Sequence, residues 1–267
     1  MTGLTESTYY SQESNREFMS VSQFKSFLKC EAAALAEIKG EYTPERGRAL
    51  LLGSYVDEAL TGTKESREEF VEENRAELFK KNGDPYADVA QANEAINCVF
   101  RQPLMMKYLD GDHQTIFTGE IEGVPVKGKF DSYKPGEFIA DLKYLKDFRS
   151  PNFFENAISY YGYDMQLAVY RELVRQNTGK DLPCYLVIVT KQDPPDVAVA
   201  EVNEFDLDMA LTKFKGAVGR FQAIKKGEIH PERCEGHDCP YCRATKVLTE
   251  PIDSNLLGRS KKDLETT

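Results

Sequence analysis

Residues 130–143 of the 267-residue chain read Phe-Asp-Ser-Tyr-Lys-Pro-Gly-Glu-Phe-Ile-Ala-Asp-Leu-Lys. The alternation of apolar and polar residues around the Pro-Gly pair predicts two β-strands joined by a turn. Asp141 and Lys143 are two positions apart, so their side chains leave the same face of the second strand. Asp131 joins them on that face only if the turn contains an odd number of residues. Gly136 can adopt the left-handed conformation of a three-residue loop, and we therefore predict that register.

Outward from this stretch, the period of the apolar residues identifies the other elements. Residues 115–121 and 124–131 predict the first two strands of a meander, and Gly123 marks the turn between them. The most apolar run, 182–191, predicts a buried strand, and 197–202 predicts a shorter one. Apolar residues at helical spacing predict helices after Ser20 and over 45–60, 66–81, 85–100, 152–176 and 207–226. The order of elements indicates an α/β fold, with helices flanking a mixed β-sheet of about five strands.

Composition places the chain among single-domain globular proteins. Charged residues make up 29% and hydrophobic residues 41%, which argues against disorder. No apolar run is long enough to span a bilayer and no signal peptide is recognisable, so we expect a cytoplasmic protein without membrane contact. The net charge is −10, yet residues 213–262 contain 11 Lys and Arg against 6 Asp and Glu. An acidic protein can still bind a phosphate backbone along one basic surface.

The acidic residues of the meander suggest a metal site. Two carboxylates and an ammonium group that converge at a strand end favour a hard cation, Mg²⁺ or Mn²⁺, which can activate water. Asp131, Asp141 and Lys143 would form this site, and Glu120 on the first strand is a weaker candidate ligand. The alternative is a ladder of surface salt bridges on an exposed sheet face, since Asp-x-Lys is a common tripeptide.

These residues and their spacing resemble the PD-(D/E)XK nuclease superfamily, and most closely its RecB-like exonuclease branch with the phage RecE-type enzymes. The resemblance implies a restriction-endonuclease-like core behind an N-terminal helical elaboration. It implies that Asp131, Asp141 and the Leu142 carbonyl bind the metal and that Lys143 assists the attacking water. The family's Gln-x-x-x-Tyr pair corresponds to Gln166 and Tyr170, which share one helix face.

Further positions match the family less closely. Gly53-Ser-Tyr-Val-Asp57 resembles an upstream Gly-x-x-Val-His element, and the resemblance makes Asp57 a metal ligand in place of His; a solvent-facing helical Asp is the alternative. Phe130 replaces the nominal Pro, and an Asp stands at position 141 where Glu is commoner. We also expect Lys146, Arg149 and Tyr163 to contact DNA. Tyr160 and Tyr161 lie beside Tyr163, and such a tyrosine stripe either stacks on bases or packs in the core.

A second constellation consists of cysteines. Cys234, Cys239 and Cys242 have the spacing of a chelate, and His237 or the distant Cys30 could complete four ligands. An N-terminal cysteine with a C-terminal trio resembles the iron–sulfur staple of AddB-type and CRISPR-adaptation nucleases, which implies a [4Fe-4S] cluster; zinc and reduced thiols without metal are the alternatives. The remaining cysteines, Cys98 and Cys184, are expected to be core residues.

The expected function is that of a metal-dependent DNA exonuclease of phage-type recombination or repair, with a single-strand annealing recombinase as partner and a homo-oligomer as one assembly. The alternatives are a catalytically weak DNA-binding module and a phosphohydrolase that acts on a smaller nucleotide. We predict one nuclease domain over 20–248, between a flexible N-terminus at 1–19 and a tail at 249–267. Its parts are the helical elaboration (20–112), the catalytic core (113–227) and the cysteine-rich staple (228–248).

Overall fold

The computed structural model describes residues 4–45, 47–149, 156–234, 239–248, 251 and 254. Its strands form two sheets, one of two strands and one of four with the order β3-β4-β5-β6. The strands are β1 (Thr115–Ile121), β2 (Val124–Phe130), β3 (Ser132–Lys134), β4 (Phe138–Leu145), β5 (Cys184–Thr190) and β6 (Val197–Val202). Strands β4 and β5 are parallel, and the other pairs are antiparallel. The mixed α/β class expected from the sequence is confirmed.

Helices surround the sheets and dominate the N-terminal part of the chain. They are α1 (Glu6–Tyr9), α2 (Gln12–Glu17), α3 (Val21–Lys29), α4 (Glu31–Lys39), α5 (Arg48–Thr61), α6 (Lys64–Glu73), α7 (Arg75–Leu78), α8 (Ala87–Phe100), α9 (Pro103–Leu109), α10 (Ala157–Tyr160), α11 (Tyr163–Thr178), α12 (Glu204–Lys226) and α13 (Pro240–Ala244). Among the described residues, no helix is both long and apolar enough to cross a membrane.

Two predicted helices are interrupted in the structure. The stretch 66–81 covers most of α6 and all of α7, which are separated at Asn74. The stretch 152–176 contains α10 and α11, separated at Gly162, whose φ of +65° breaks the helical geometry. The start of that second stretch, 152–155, lies outside the described residues.

The register of the β3–β4 hairpin follows the prediction. Ser132 pairs with Ala140 and Lys134 pairs with Phe138, so the loop between the strands contains three residues. Gly136 within that loop has a φ of +79°, the left-handed conformation that the loop requires. Continued by one residue, the register places Asp131 opposite Asp141.

The sheet divides at Asp131, which belongs neither to β2 nor to β3. The sequence predicts one sheet of about five strands, whereas the meander contributes one two-stranded sheet and the edge of a four-stranded sheet. The break has a local cause. Asp131 Oδ2 accepts a hydrogen bond of 2.9 Å from the Leu142 amide, where a continuous strand would offer a backbone carbonyl. A carboxylate thus replaces a ladder partner at this point.

Both faces of the four-stranded sheet are covered, which explains why β4 and β5 are apolar almost throughout. On β4, Ile139 contributes to the core beneath α11 and α12, whereas Ala140 and Leu142 contribute to the core beneath α5, α8 and α9. Asp141 lies two positions after Ile139 on β4, so its side chain points to the same face of the sheet, toward α11. The strand period places this carboxylate inside the protein, beside one helix.

The N-terminal segment, which the sequence predicts to be flexible, forms α1 and α2 against β2. Lys127 on β2 explains the attachment. Its ammonium group donates to Ser14 Oγ at 2.9 Å, to Asn15 Oδ1 at 2.8 Å and to the Tyr9 carbonyl oxygen. Lys127 is only 1% exposed, and burial lowers its pKa to about 8. The polar segment is therefore held by a buried lysine that sequence pattern alone does not connect to it.

Replacement of this lysine tests the attachment. We expect Lys127→Met to lower the free energy of unfolding by about 1–3 kcal/mol, because buried acceptors lose their donor. We also expect proteolysis within residues 5–17 to become faster. Denaturant unfolding and limited proteolysis measure both effects. Lys129→Met, on the same face of β2 with its ammonium over the Tyr10 ring, is the matched control; equal effects of the two substitutions would contradict the role of Lys127.

Candidate active site

The structure brings Asp131, Asp141 and Lys143 together. Asp141 is fully buried, and the Lys143 ammonium forms an ion pair with its Oδ2. Asp131 lies opposite, held by the Leu142 amide through Oδ2 and by His113, whose Nδ1 donates to the Asp131 carbonyl oxygen at 2.8 Å. The surface salt-bridge alternative is therefore wrong for this pair, because the Asp141 carboxylate has no access to solvent.

The backbone of Leu142 also faces this cluster. Leu142 N–H points toward Asp131, away from β5. In contrast, Ile139 N–H and the Leu145 carbonyl bond to the segment of β5, with distances of 3.0 and 2.7 Å. Because the N–H and C=O of one strand residue point to the same side, the Leu142 carbonyl lies along the same open edge as Asp131. Its position is compatible with the predicted role as a metal ligand.

Gln166 and Tyr170 orient the Asp141 carboxylate. Gln166 Nε2 donates to Asp141 Oδ1 at 2.8 Å and to Tyr170 Oη at 3.1 Å, which uses both of its protons. Tyr170 Oη in turn donates to the Lys129 carbonyl oxygen at 2.7 Å. This chain of hydrogen bonds, which joins α11 to β2, fixes the position of Asp141 Oδ1.

The tyrosine ring requires a glycine beneath it. Tyr170 stacks on Phe130 with a centroid distance of 4.2 Å. A Cβ atom at Gly128 would lie 2.9 Å from two carbons of the Tyr170 ring, closer than non-bonded carbon atoms approach. Gly128 therefore permits the close packing of β2 and α11 that places Gln166 beside Asp141.

The hydroxyl of Tyr170 can be tested without removing its ring. Tyr170→Phe keeps the stacking on Phe130 but leaves Gln166 with one partner fewer, and we expect apparent affinity for Mg²⁺ in the proposed reaction to fall by about 10–100-fold. Activity titrated with Mg²⁺ measures this. The control is Tyr144→Phe, because the buried Tyr144 hydroxyl has no hydrogen-bond partner among the described residues. A drop in thermal stability with unchanged Mg²⁺ dependence would mean that the hydroxyl is merely structural.

Asp57 on α5 approaches the cluster from another element. Its Oδ1 accepts a hydrogen bond of 2.9 Å from Thr61 Oγ1, one helical turn later. Thr61 also accepts from Gln114 Nε2 at 3.4 Å, which links α5 to the start of β1. Asp57 lines the same cleft as Asp131 and Gln166. Asp57 is partly buried in this cleft, where the resemblance implies a metal ligand.

The electrostatics of the cluster explain its need for positive charge. Burial raises the pKa of Asp131 well above its usual value, and the carboxylates of Asp141 and Asp57 raise it further. Burial and Asp141 likewise raise the pKa of Asp57. For Lys143, burial alone would lower the pKa, but Asp141 and Asp131 outweigh it and the net shift is upward. Among the described residues, Lys143 is the one cation within ion-pair distance of these three carboxylates, although Lys25 also lines the cleft. Three carboxylates are hard oxygen donors, and such a set fits Mg²⁺ or Mn²⁺.

The remaining candidates are dispersed. Tyr163 lies at the cluster, with its ring centre 5.1 Å from Lys143 Nζ. Lys146 is exposed, and the exposed Arg149 donates to Asp147 Oδ2 at 3.0 Å. Glu120 is exposed on β1 opposite Pro125, five positions along that strand from the residue paired with Phe130. The structure therefore does not place Glu120 in the cluster.

Sequence reasoning missed Lys25 and His113. Lys25 lies on α3 and lines the active-site cleft together with Asp57, Asp131 and Gln166. Burial and the neighbouring Lys143 lower its pKa to about 8. No spacing in the sequence connects Lys25 with the meander, because the contact joins segments more than 100 residues apart. Thr61, in contrast, follows Asp57 by four residues, a spacing that could have identified it.

The four cysteines of the second constellation also meet. The Sγ atoms of Cys30, Cys234, Cys239 and Cys242 all lie within 4.8 Å of one another. Cys30 Sγ is 3.5 Å from Cys242 Sγ, and Cys234 Sγ is 3.3 Å from Cys239 Sγ. These separations exceed the roughly 2.05 Å of a disulfide bond, and four convergent thiols can bind a metal. His237 lies outside the described residues.

Polar contacts beside the cysteines also connect α4 to α12 and to the segment that follows α12. Arg220 on α12 donates two hydrogen bonds to Glu31, at 2.7 and 2.9 Å, and Glu31 also accepts from the Glu232 amide at 2.7 Å. Of the other cysteines, Cys184 is buried as predicted and Cys98 is partly buried. The cysteine cluster therefore joins the start of α4 to the segment that follows α12.

An α/β core that carries two aspartates and a lysine around a hairpin, with a Gln and a Tyr on the adjacent helix, defines a PD-(D/E)XK-type domain. A family model described as a PDDEXK-like domain of unknown function (DUF3799) matches residues 20–245. The chain therefore belongs to this PDDEXK-like family, and the superfamily expected from the sequence is confirmed.

The structure is also similar to a crystal structure of a protein from Eubacterium rectale described as a "putative exonuclease". The TM-score is 0.90 and the sequences are 38% identical, over 97% of this chain and 99% of that chain. No curated protein matched the sequence.

Proposed function

We propose that this protein is a divalent-metal-dependent exonuclease that hydrolyses phosphodiester bonds of linear DNA. The observation that carries the proposal is the convergence of Asp131, Asp141 and Lys143 at the open edge of β4. The family and the similarity to the Eubacterium rectale protein support a nuclease. We also propose that it acts in the cytoplasm.

In this mechanism Asp131, Asp141 and the Leu142 carbonyl would hold Mg²⁺ or Mn²⁺, with Asp57 as a further ligand. The cation would neutralise charge on the scissile phosphate and lower the pKa of a water molecule that it binds. With the cation bound, the Lys143 ammonium would act on the phosphate oxygens or the attacking water. Gln166 keeps Asp141 in place, and Tyr170 keeps Gln166 in place.

The finer assignment follows the resemblance to the RecE-type branch. It makes the protein a phage-type recombination or repair enzyme that leaves single strands for an annealing recombinase, and it allows a homo-oligomer. Tyr163, beside Lys143, is the best placed of the residues expected to contact DNA, since Arg149 already bonds to Asp147. Lys146 remains a candidate backbone contact because its side chain is exposed.

We also propose that the four cysteines bind a metal. The resemblance to AddB-type nucleases supports a [4Fe-4S] cluster. The close spacing of the Sγ atoms favours a single tetrahedral zinc ion, whose four thiolates lie about 3.8 Å apart when each Zn–S bond is about 2.3 Å. Elemental analysis for zinc and iron, together with the visible absorption spectrum, separates the two identities.

Digestion of end-labelled DNA tests the nuclease proposal. We expect Mg²⁺ or Mn²⁺ to support degradation of a linear duplex, with a covalently closed circle left intact and no degradation in EDTA. Labels at the 5′ and 3′ ends of separate substrates report the polarity. Cleavage of the closed circle would identify an endonuclease. Metal-independent DNA binding without hydrolysis would identify a binding module, and hydrolysis of mononucleotides alone would identify a phosphohydrolase.

A further inference from the structure

A second groove on the surface is larger than the active-site cleft and shares one lining residue with it. It lies between α3, α10 and α12 and is lined by Lys25, Lys29, Tyr160, Tyr161, Phe205 and Lys213. Lys25 also lines the cleft that contains Asp131 and Gln166, so the groove and the cleft meet at this residue. The groove and the cleft are therefore neighbours on the surface.

Three tyrosines form a series from Lys143 to the groove. Lys143 Nζ lies 5.1 Å from the centre of the Tyr163 ring, and the Tyr163 and Tyr161 rings are 5.7 Å apart. The Tyr161 and Tyr160 rings are 5.0 Å apart and perpendicular. Lys25 reaches the same series from α3, because its ammonium donates to the Tyr161 carbonyl oxygen at 3.4 Å. Aromatic rings thus extend from the reacting centre to the protein surface.

The outer part of the groove exposes large apolar side chains. Phe205 is 73% exposed, Met209 is 57% exposed and Tyr160 is 44% exposed. Clustered exposed apolar residues mark a binding surface, because water contact with a contiguous apolar patch is unfavourable. The core alternative for the tyrosine stripe is therefore wrong for Tyr160, although Tyr163 is partly buried.

The charges of the groove favour a nucleic acid over a protein partner. The chain has a net charge of −10, yet Lys25, Lys29 and Lys213 all line this groove. Its acidic residues are Asp164 and Asp206, and both accept local hydrogen bonds, from the Met165 amide at 2.7 Å and from Asn203 Nδ2 at 2.6 Å. Proteins commonly bind single-stranded nucleic acid with lysines that contact the phosphate backbone and with exposed aromatic rings that stack on the unpaired bases.

We infer that this groove binds one single strand of the DNA substrate and connects it to the reacting centre. The inference rests on the proposed nuclease function and specifies the form of DNA next to the active site. In a closed duplex the bases are stacked on one another, so the aromatic rings can contact bases only where the strands are separated. Tyr160 and Phe205 are the stacking residues, and the lysines bind phosphates without sequence preference.

Binding of fluorescent oligo-dT in Ca²⁺, measured by anisotropy, tests the inference. We expect Phe205→Ala and Tyr160→Ala each to weaken binding by about tenfold, which corresponds to one lost stacked base. Lys213→Gln should lower the magnitude of the salt dependence by about 0.7 in a plot of log K against log salt concentration, as for one lost phosphate contact of a single strand. Phe100→Ala, which removes an exposed aromatic residue from α8, is the matched control and should leave binding unchanged.

The possible failures are distinguishable. If wild-type protein degrades linear DNA while the groove variants bind oligo-dT normally, the groove inference is wrong and the nuclease proposal stands. If wild-type protein degrades no DNA, the nuclease proposal fails whatever the oligo-dT result. Sedimentation of the same variants tests whether a second copy of this chain occupies the groove instead of DNA. If they dissociate a wild-type oligomer and still bind oligo-dT normally, the groove is a contact between copies of this chain.

Discussion

Asp141→Asn should abolish DNA hydrolysis, with a decrease of about 10³-fold or more in the rate at saturating Mg²⁺. The substitution removes one negative charge from the proposed metal site. A bound metal ion stabilises the charge of the transition state by several kcal/mol. Each 1.36 kcal/mol of lost stabilisation lowers the rate by a factor of ten. Single-turnover digestion of end-labelled linear duplex gives the measurement.

Asn has the shape of Asp but loses the ion pair between Asp141 Oδ2 and the Lys143 ammonium, so circular dichroism must first show that the variant is folded. The Asn oxygen can still accept the hydrogen bond that Gln166 Nε2 donates to Asp141 Oδ1 at 2.8 Å. Asp181→Asn is the matched control, since this exposed carboxylate pairs with Arg171 at 3.5 Å, away from the cleft. A folded Asp141→Asn protein that retains a tenth or more of wild-type activity would refute the proposed site.

Cys242→Ser should cause the largest loss of stability. Cys242 is fully buried, and its Sγ meets those of Cys30, Cys234 and Cys239 within 4.8 Å. Structural zinc in small domains contributes about 10 kcal/mol or more of binding free energy at neutral pH, and loss of one thiolate removes a large part of it. We expect α13 to detach and the melting temperature to fall, together with loss of bound zinc or iron.

Elemental analysis, thermal unfolding and proteolysis of the C-terminal segment give three separate readouts. Cys98→Ser is the matched control, because Cys98 lies on α8 outside the four-cysteine cluster. Wild-type protein that contains no metal, and whose stability equals that of Cys242→Ser, would leave the four thiols without the proposed role.

The local geometry of the candidate site could be predicted from the sequence. A strand period of two and a three-residue loop at Gly136 were sufficient to place Asp131 opposite Asp141. The helical spacing of Gln166 and Tyr170 predicted a shared face, and the structure shows a direct hydrogen bond between them at 3.1 Å. In both cases the relevant residues are close in the chain, so backbone geometry determines their separation.

Contacts between distant segments could not be predicted in this way. Lys127 binds residues more than 110 positions earlier, and nothing in its strand distinguishes it from a surface lysine. Lys25 reaches the cleft through the packing of α3 against α11, which depends on the whole core. The division of the meander into two sheets was also missed, because it depends on a side-chain hydrogen bond from Leu142 to Asp131. The four cysteines met as the resemblance implied, although their chain separation alone would not require it.

The hydrogen bond between Asp131 and the Leu142 amide has a consequence for protein handling. Strand β3 pairs with β4 only as far as Ala140. Beyond Ala140, the same edge of β4 has no strand partner among the described residues. Free strand edges recruit strands from other molecules, which is a common origin of aggregation. The Asp131 carboxylate occupies the first free amide of this edge. Substitutions at Asp131 should therefore be examined by light scattering as well as by activity, because self-association could imitate a purely chemical defect.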